Sequence, residues 1–154
     1  MTLLRTAFVA LVLALANLPG IARADDPAAV VKGFIDAWAT NDIDKIMSFV
    51  ADDCYYENVP SLSGPEGSMV GKARMRVFLA PFFAKNPLIV PFTFHTEIKN
   101  TVVSADAMAL ERVDYFDIAG TKYSARVAAM FKVKDGKISY WVDYFDGNAF
   151  APIS

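Results

Sequence analysis

The stretch VAAMFKVKDGKISYWVDYF, residues 127–145, decides the fold. At its centre Lys134-Asp135-Gly136-Lys137 is a two-residue hairpin signal, because the tight turn that matches strand twist needs positive φ at both central residues and Asp-Gly supplies them cheaply. The flanking runs are apolar, aromatic and β-branched, so the spacing predicts strands over about 122–134 and 137–146. Working outward, IAGTK at 118–122 is a weaker turn, preceded by strands at about 106–117 and 91–102. Upstream the period changes from two to 3.6. Asp25 or Asp26 caps a helix with Pro27 in its first turn and Val30, Val31, Phe34, Ile35 and Trp38 on one stripe. Asn41 or Asp42 caps a second, with Ile43, Ile46, Met47 and Val50 as its stripe. A strand at about 53–59, the loop PSLSGPEGS and a third helix in GKARMRVFLAPFF, ended by Asn86 and Pro87, complete the reading. Helices first and strands later make an α+β domain, a curved antiparallel sheet covered by N-terminal helices.

The chain has 154 residues, enough for one domain. Residues 1–24 read as a secretory signal peptide: MTLLR is a basic start, AFVALVLALA an apolar run too short for a membrane span, and Ala22-Arg23-Ala24 a small-x-small cleavage site. Residues 25–154 are then the domain, exported to the periplasm or medium, with no stable membrane insertion after cleavage near Ala24. Cleavage takes Arg5 and Arg23, so 15 − 2 = 13 basic residues face 17 acidic ones, a formal charge of 13 − 17 = −4. That balance argues against a nucleic-acid partner, which calls for a basic face. Cys54 is the only cysteine and His95 the only histidine, so a disulfide within the chain and a His/Cys metal site are both excluded. Cys54 reads as a small buried hydrophobe and His95 as an ordinary strand residue.

Within this apolar frame LERVDYF, residues 110–116, places Arg112 and Asp114 in a strand, and SYWVDYFDG, residues 139–147, does the same with Asp143. Buried charges of this kind occur when they are paired. Residues two apart in a strand share a face, so Arg112 goes with Asp114, and Tyr56 with Asn58 in YYENVP. The Asp135-Gly136 hairpin sets Asp143 opposite Ala128. If the preceding hairpin uses a three-residue loop, Ala119-Gly120-Thr121, Arg112 also lies opposite Ala128 and the three form one row. A two-residue loop would put Glu111 there instead.

YYENVP, GKARMRVFLAPFF, LERVDYF and WVDYFD resemble, in order and spacing, the segments of the limonene-1,2-epoxide hydrolase family, within the larger group of SnoaL-like and nuclear-transport-factor-2-like domains. The resemblance runs over most of residues 28–147. It implies a cone-shaped sheet, no cofactor, and a catalytic unit in which Asp143 is the general base, Asp114 the general acid and Arg112 the bridge, with Tyr56 and Asn58 holding the attacking water. The leader and the long loop SLSGPEGSMV are departures from the family pattern.

The chemistry asks for these residue types independently. Water is a poor nucleophile and an alkoxide a poor leaving group, so opening an epoxide near neutral pH needs a base on one side and an acid on the other. Two carboxylates in one apolar pocket divide those roles, because their mutual repulsion raises one apparent pKa. Arg112 on its own also fits a structural salt-bridge network. The 12 Phe, 6 Tyr and 2 Trp supply core and, in a conical sheet, an aromatic pocket for a small lipophilic substrate. Two other readings compete with hydrolysis: an isomerase or cyclase of the ketosteroid isomerase or polyketide cyclase kind, which a cation beside the acid disfavours, and a non-catalytic carrier of a lipophilic ligand. A homodimer is compatible with all three.

Overall fold

The computed structural model describes residues 26–61, 67–83, 93–118, 120–146 and 151–152. Residues 1–25, Asn86, Pro87, Ala119 and part of the 60–68 loop lie outside the described residues. Helix α1 (Pro27–Trp38) starts where Asp26 accepts the Ala28 amide at 3.0 Å, and it buries Val31, Phe34, Ile35 and Ala37 along one stripe. Helix α2 is short (Ile43–Met47) and capped by Asp42, whose carboxylate accepts the amides of Asp44 and Lys45. It stops before Val50, expected on its stripe. Val50 instead begins strand β1 (Val50–Val59), where its β-branched side chain lies beside Ile138. Two short strands escaped the sequence reading, β2 (Ser68–Val70), which begins at the last residue read as loop, and β7 (Ala151–Pro152). Helix α3 (Lys72–Phe83) buries Met75 and Leu79. Strands β3 (Thr93–Val103), β4 (Ala107–Ile118), β5 (Thr121–Lys134) and β6 (Lys137–Phe145) fall within about two residues of expectation.

The strand order is β2-β1-β6-β5-β4-β3, with β7 on β5. Pairing is antiparallel as expected except between β1 and β6, which run parallel. A parallel pair needs a long crossover, and everything between β1 and β6 in the chain supplies it. Register shifts at Val50/Tyr55, Ile98/Asn100 and Lys132/Val133 bend the sheet around the helices.

The Asp-Gly turn forms as expected, with φ of 51° at Asp135 and 70° at Gly136. The register beyond it corrects the expected row twice. The irregularity at Lys132/Val133 moves Asp143 one place, opposite Ala129. The β4–β5 hairpin closes with Ile118 opposite Thr121, a two-residue loop with Gly120 at φ 79°, so Glu111 pairs with Ala128 and Arg112 with Val127. One slip alone would send Arg112 to the other face from Asp143; two together restore the face. Asp143 therefore shares its row with Ala129 and Leu110, and Arg112 sits two residues along from Leu110.

The inner face meets α1 through an aromatic cluster. Phe34 lies edge-on to Trp141 at 5.0 Å and to Phe131 at 6.0 Å, and Trp38 reaches Phe94 at 5.4 Å. The same five rings, Phe34, Trp38, Phe94, Phe131 and Trp141, line a cavity on this inner face.

Candidate active site

Along β4 the inward positions run Met108, Leu110, Arg112, Asp114, so an ordinary core face turns charged at its far end. Arg112, Asp114 and Asp143 are only 7%, 6% and 6% exposed. One guanidinium serves both acids. Its Nε donates to Asp114 Oδ1 at 3.0 Å and Oδ2 at 2.9 Å, while Nη1 and Nη2 donate to Asp143 Oδ1 at 3.0 Å and Oδ2 at 2.8 Å. The bond pair to Asp143 is the fork geometry that Arg supplies and Lys cannot. Small Ala129 and Val127 on the intervening strand leave room for the side chain to cross. Glu111, one residue away, is on the other face, where Arg126 and Asn100 donate to it.

Two more donors reach the carboxylates. The Trp141 indole Nε1 donates to Asp143 Oδ1 at 2.7 Å, and the Thr96 hydroxyl, across the β3–β4 ladder, donates to Asp114 Oδ1 at 2.7 Å. Sequence reasoning gave neither residue a role. Trp141 carried a signal, its place two residues before Asp143 on the same face. Thr96 carried none until the pairing of β3 with β4 was known.

With both acids ionised this buried group would hold one net negative charge, a costly arrangement. A single shared proton removes it. The pKa of Asp114 is raised above its ordinary value: burial is the largest cause, Arg112 and the Thr96 hydroxyl oppose it, and the Asp143 charge adds to it. For Arg112 burial acts to lower the pKa, but the two carboxylates outweigh it and the net shift is upward, so the cation persists.

Tyr56 and Asn58 stand on β1, inward and two apart, and the parallel register places Asn58 beside Asp143 and Tyr56 beside Trp141. Asn58 Nδ2 donates to the Tyr56 hydroxyl at 2.5 Å. The phenol accepts that bond and keeps its own proton for another acceptor. Burial, then the Asp143 charge, push its pKa up, so it stays neutral.

All five residues singled out from the sequence, Tyr56, Asn58, Arg112, Asp114 and Asp143, line one cavity of about 240 Å³. Its remaining wall is apolar, with Trp38, Phe78, Phe94, Phe116 and Phe145 prominent. A second cavity of about 110 Å³ shares Arg112 and both acids and reaches inward past Thr96 to Phe34 and Phe131. Cys54 is fully buried outside both cavities, its thiol pushed up to about 12 by burial and then by Asp53, so it is no nucleophile. His95 is exposed on β3 and stacks on Tyr115 at 6.0 Å.

Residues 31–141 match the SnoaL-like domain family. The epoxide hydrolase EphG of Mycobacterium tuberculosis is 28% identical over 116 residues, covering 75% of this chain and 70% of its own length. Among solved structures, an LEH-like epoxide hydrolase of M. tuberculosis superposes with a TM-score of 0.65 at 26% identity, over 79% of this chain and 84% of that one. A ketosteroid isomerase from Mycobacterium sp. superposes with a TM-score of 0.69 at 20% identity, over 83% of this chain and 99% of that one, a likeness of fold.

Proposed function

The chain belongs to the SnoaL-like domain family, and within it we propose that this protein is an epoxide hydrolase adding water to a small lipophilic epoxide to give a vicinal diol. The observation that carries this reading is one buried guanidinium holding two carboxylates at the wall of an apolar cavity, beside a neutral Tyr-Asn pair. The similarity to epoxide hydrolases supports it.

In this mechanism the epoxide enters the aromatic part of the cavity with its oxygen toward Asp114. Asp114 delivers a proton to that oxygen as the C–O bond breaks. On the other side Asp143 takes a proton from a water held with Tyr56 and Asn58, and the water oxygen forms the new C–O bond. Arg112 stays charged, holding both carboxylates in place as the proton count between them shifts. The acid ends the step ionised and the base protonated. A proton exchanged with solvent resets the pair.

A panel of lipophilic epoxides, assayed for diol with the wild type and an Asp114→Asn variant, tests the activity. Diol from the wild type and little from the variant is the expected result. No diol from any epoxide, with isomerisation of an unsaturated ketone in its place, would move the protein to the isomerase class. We also propose that residues 1–24 are removed on export; intact mass of the exported protein should correspond to a chain beginning at Asp25, and a retained leader would contradict it.

A further inference from the structure

The Thr96 hydroxyl is spent on one oxygen of Asp114, and that choice has a chemical consequence. Oδ1 accepts both Thr96 Oγ1 at 2.7 Å and Arg112 Nε at 3.0 Å, which fills its two lone-pair directions. Oδ2 accepts Arg112 Nε alone, at 2.9 Å. Nothing in the strand itself asks for this hydroxyl: Val has the same branched shape, suits a strand at least as well and needs no partner. We propose, building on the reading of Asp114 as the proton donor, that Thr96 is a positioning residue which assigns the transferable proton to Asp114 Oδ2 and limits how tightly it is held.

The energetics follow from what faces Asp114. Arg112 comes from its own strand, Asp143 from β6 and Tyr56 from β1. Strand β5 presents uncharged Ala125 and Val127, helix α1 Trp38, and helix α3 Phe78 and Leu79. Burial and Asp143 hold the proton on Asp114; Arg112 and Thr96 favour its release. Arg112 divides its attention between two acids, whereas Thr96 acts on this one alone. An acid held too tightly is a slow donor, and one whose proton is spread over two oxygens delivers it in the wrong direction half the time.

Thr96→Val tests this, with Thr96→Ser as the variant that keeps the hydroxyl. Losing a donor to the carboxylate disfavours ionisation, so the Asp114 pKa should rise. A general acid works while protonated, so the alkaline limb of the pH–rate profile should move upward, by about one unit. At the plateau kcat should fall about tenfold while KM stays within about twofold, since Thr96 acts through Asp114. Thr96→Ser should restore both. Carbon-13 NMR of the Asp114 carboxyl gives a readout that needs no substrate: its titration midpoint should rise in Thr96→Val and return in Thr96→Ser. An unchanged midpoint and an unmoved alkaline limb in Thr96→Val would overturn the assignment. If the wild type hydrolyses no epoxide, the proposed activity fails, yet the carboxyl titration still decides whether Thr96 tunes Asp114.

Discussion

Replacing either acid with its amide is expected to lower kcat at least about 100-fold, the usual contribution of a positioned acid or base. Asn at 114 keeps the shape of the side chain and can still hydrogen-bond, but it has no proton to give up at the epoxide oxygen. Asn at 143 should be the worse of the two. It removes the base, it turns an NH2 group toward an Arg112 nitrogen that itself donates, and it leaves the Arg112 charge to act on Asp114 alone, pulling that acid toward its ionised, useless form. One substitution therefore disables both ends of the reaction. The double variant should be little slower than Asp143→Asn, because residues that act as a unit do not add. Steady-state kinetics of the three variants, with circular dichroism to confirm folding, checks this. Activity within about threefold of wild type in either single variant would place the chemistry elsewhere.

Arg112→Lys should be nearly as severe in rate and should cost stability as well. The guanidinium makes four donor contacts under 3.1 Å to two acids lying on strands separated by β5. An ammonium is a single point of charge and cannot lie flat between them. If it leaves the ionised acid, that group becomes a buried carboxylate without a cation, a loss of about 3 kcal/mol in comparable cases. A lower urea midpoint with an unchanged m-value, together with a kcat drop of about 100-fold, is the expected pair of results. Lost activity at full stability would mean that Arg112 serves chemistry alone, and lost stability at full activity that it is a strap between strands.

Much of this was legible in the residues. Asp135-Gly136 fixed the central hairpin, Asp26 and Asp42 the helix starts, and the two-residue spacing of Arg112 with Asp114 and of Tyr56 with Asn58 their shared faces. Local signals of that kind survive folding because a turn or a cap needs only its neighbours. What failed was long-range. Nothing in 50–59 says that β1 lies parallel to β6, since a parallel pair leaves no turn to read. The bulge at Lys132/Val133 has no Gly or Pro to announce it. With the two-residue β4–β5 loop adding a second one-place shift, Arg112 lies two residues from its expected row with Asp143, although its face was right, and Thr96 was invisible because its partner lies eighteen residues away across a ladder.

In the proposed mechanism water attacks the epoxide directly, with Asp143 as base. Asp143 could instead attack carbon itself and form an ester that water later cleaves. Its oxygens, however, already accept three donors, and Tyr56 and Asn58 beside it are suited to a water. A single turnover with enzyme in excess in oxygen-18 water separates the two. Direct attack puts the heavy oxygen in the first diol formed, which is the predicted result; a first diol carrying unlabelled oxygen from an enzyme carboxylate would contradict it.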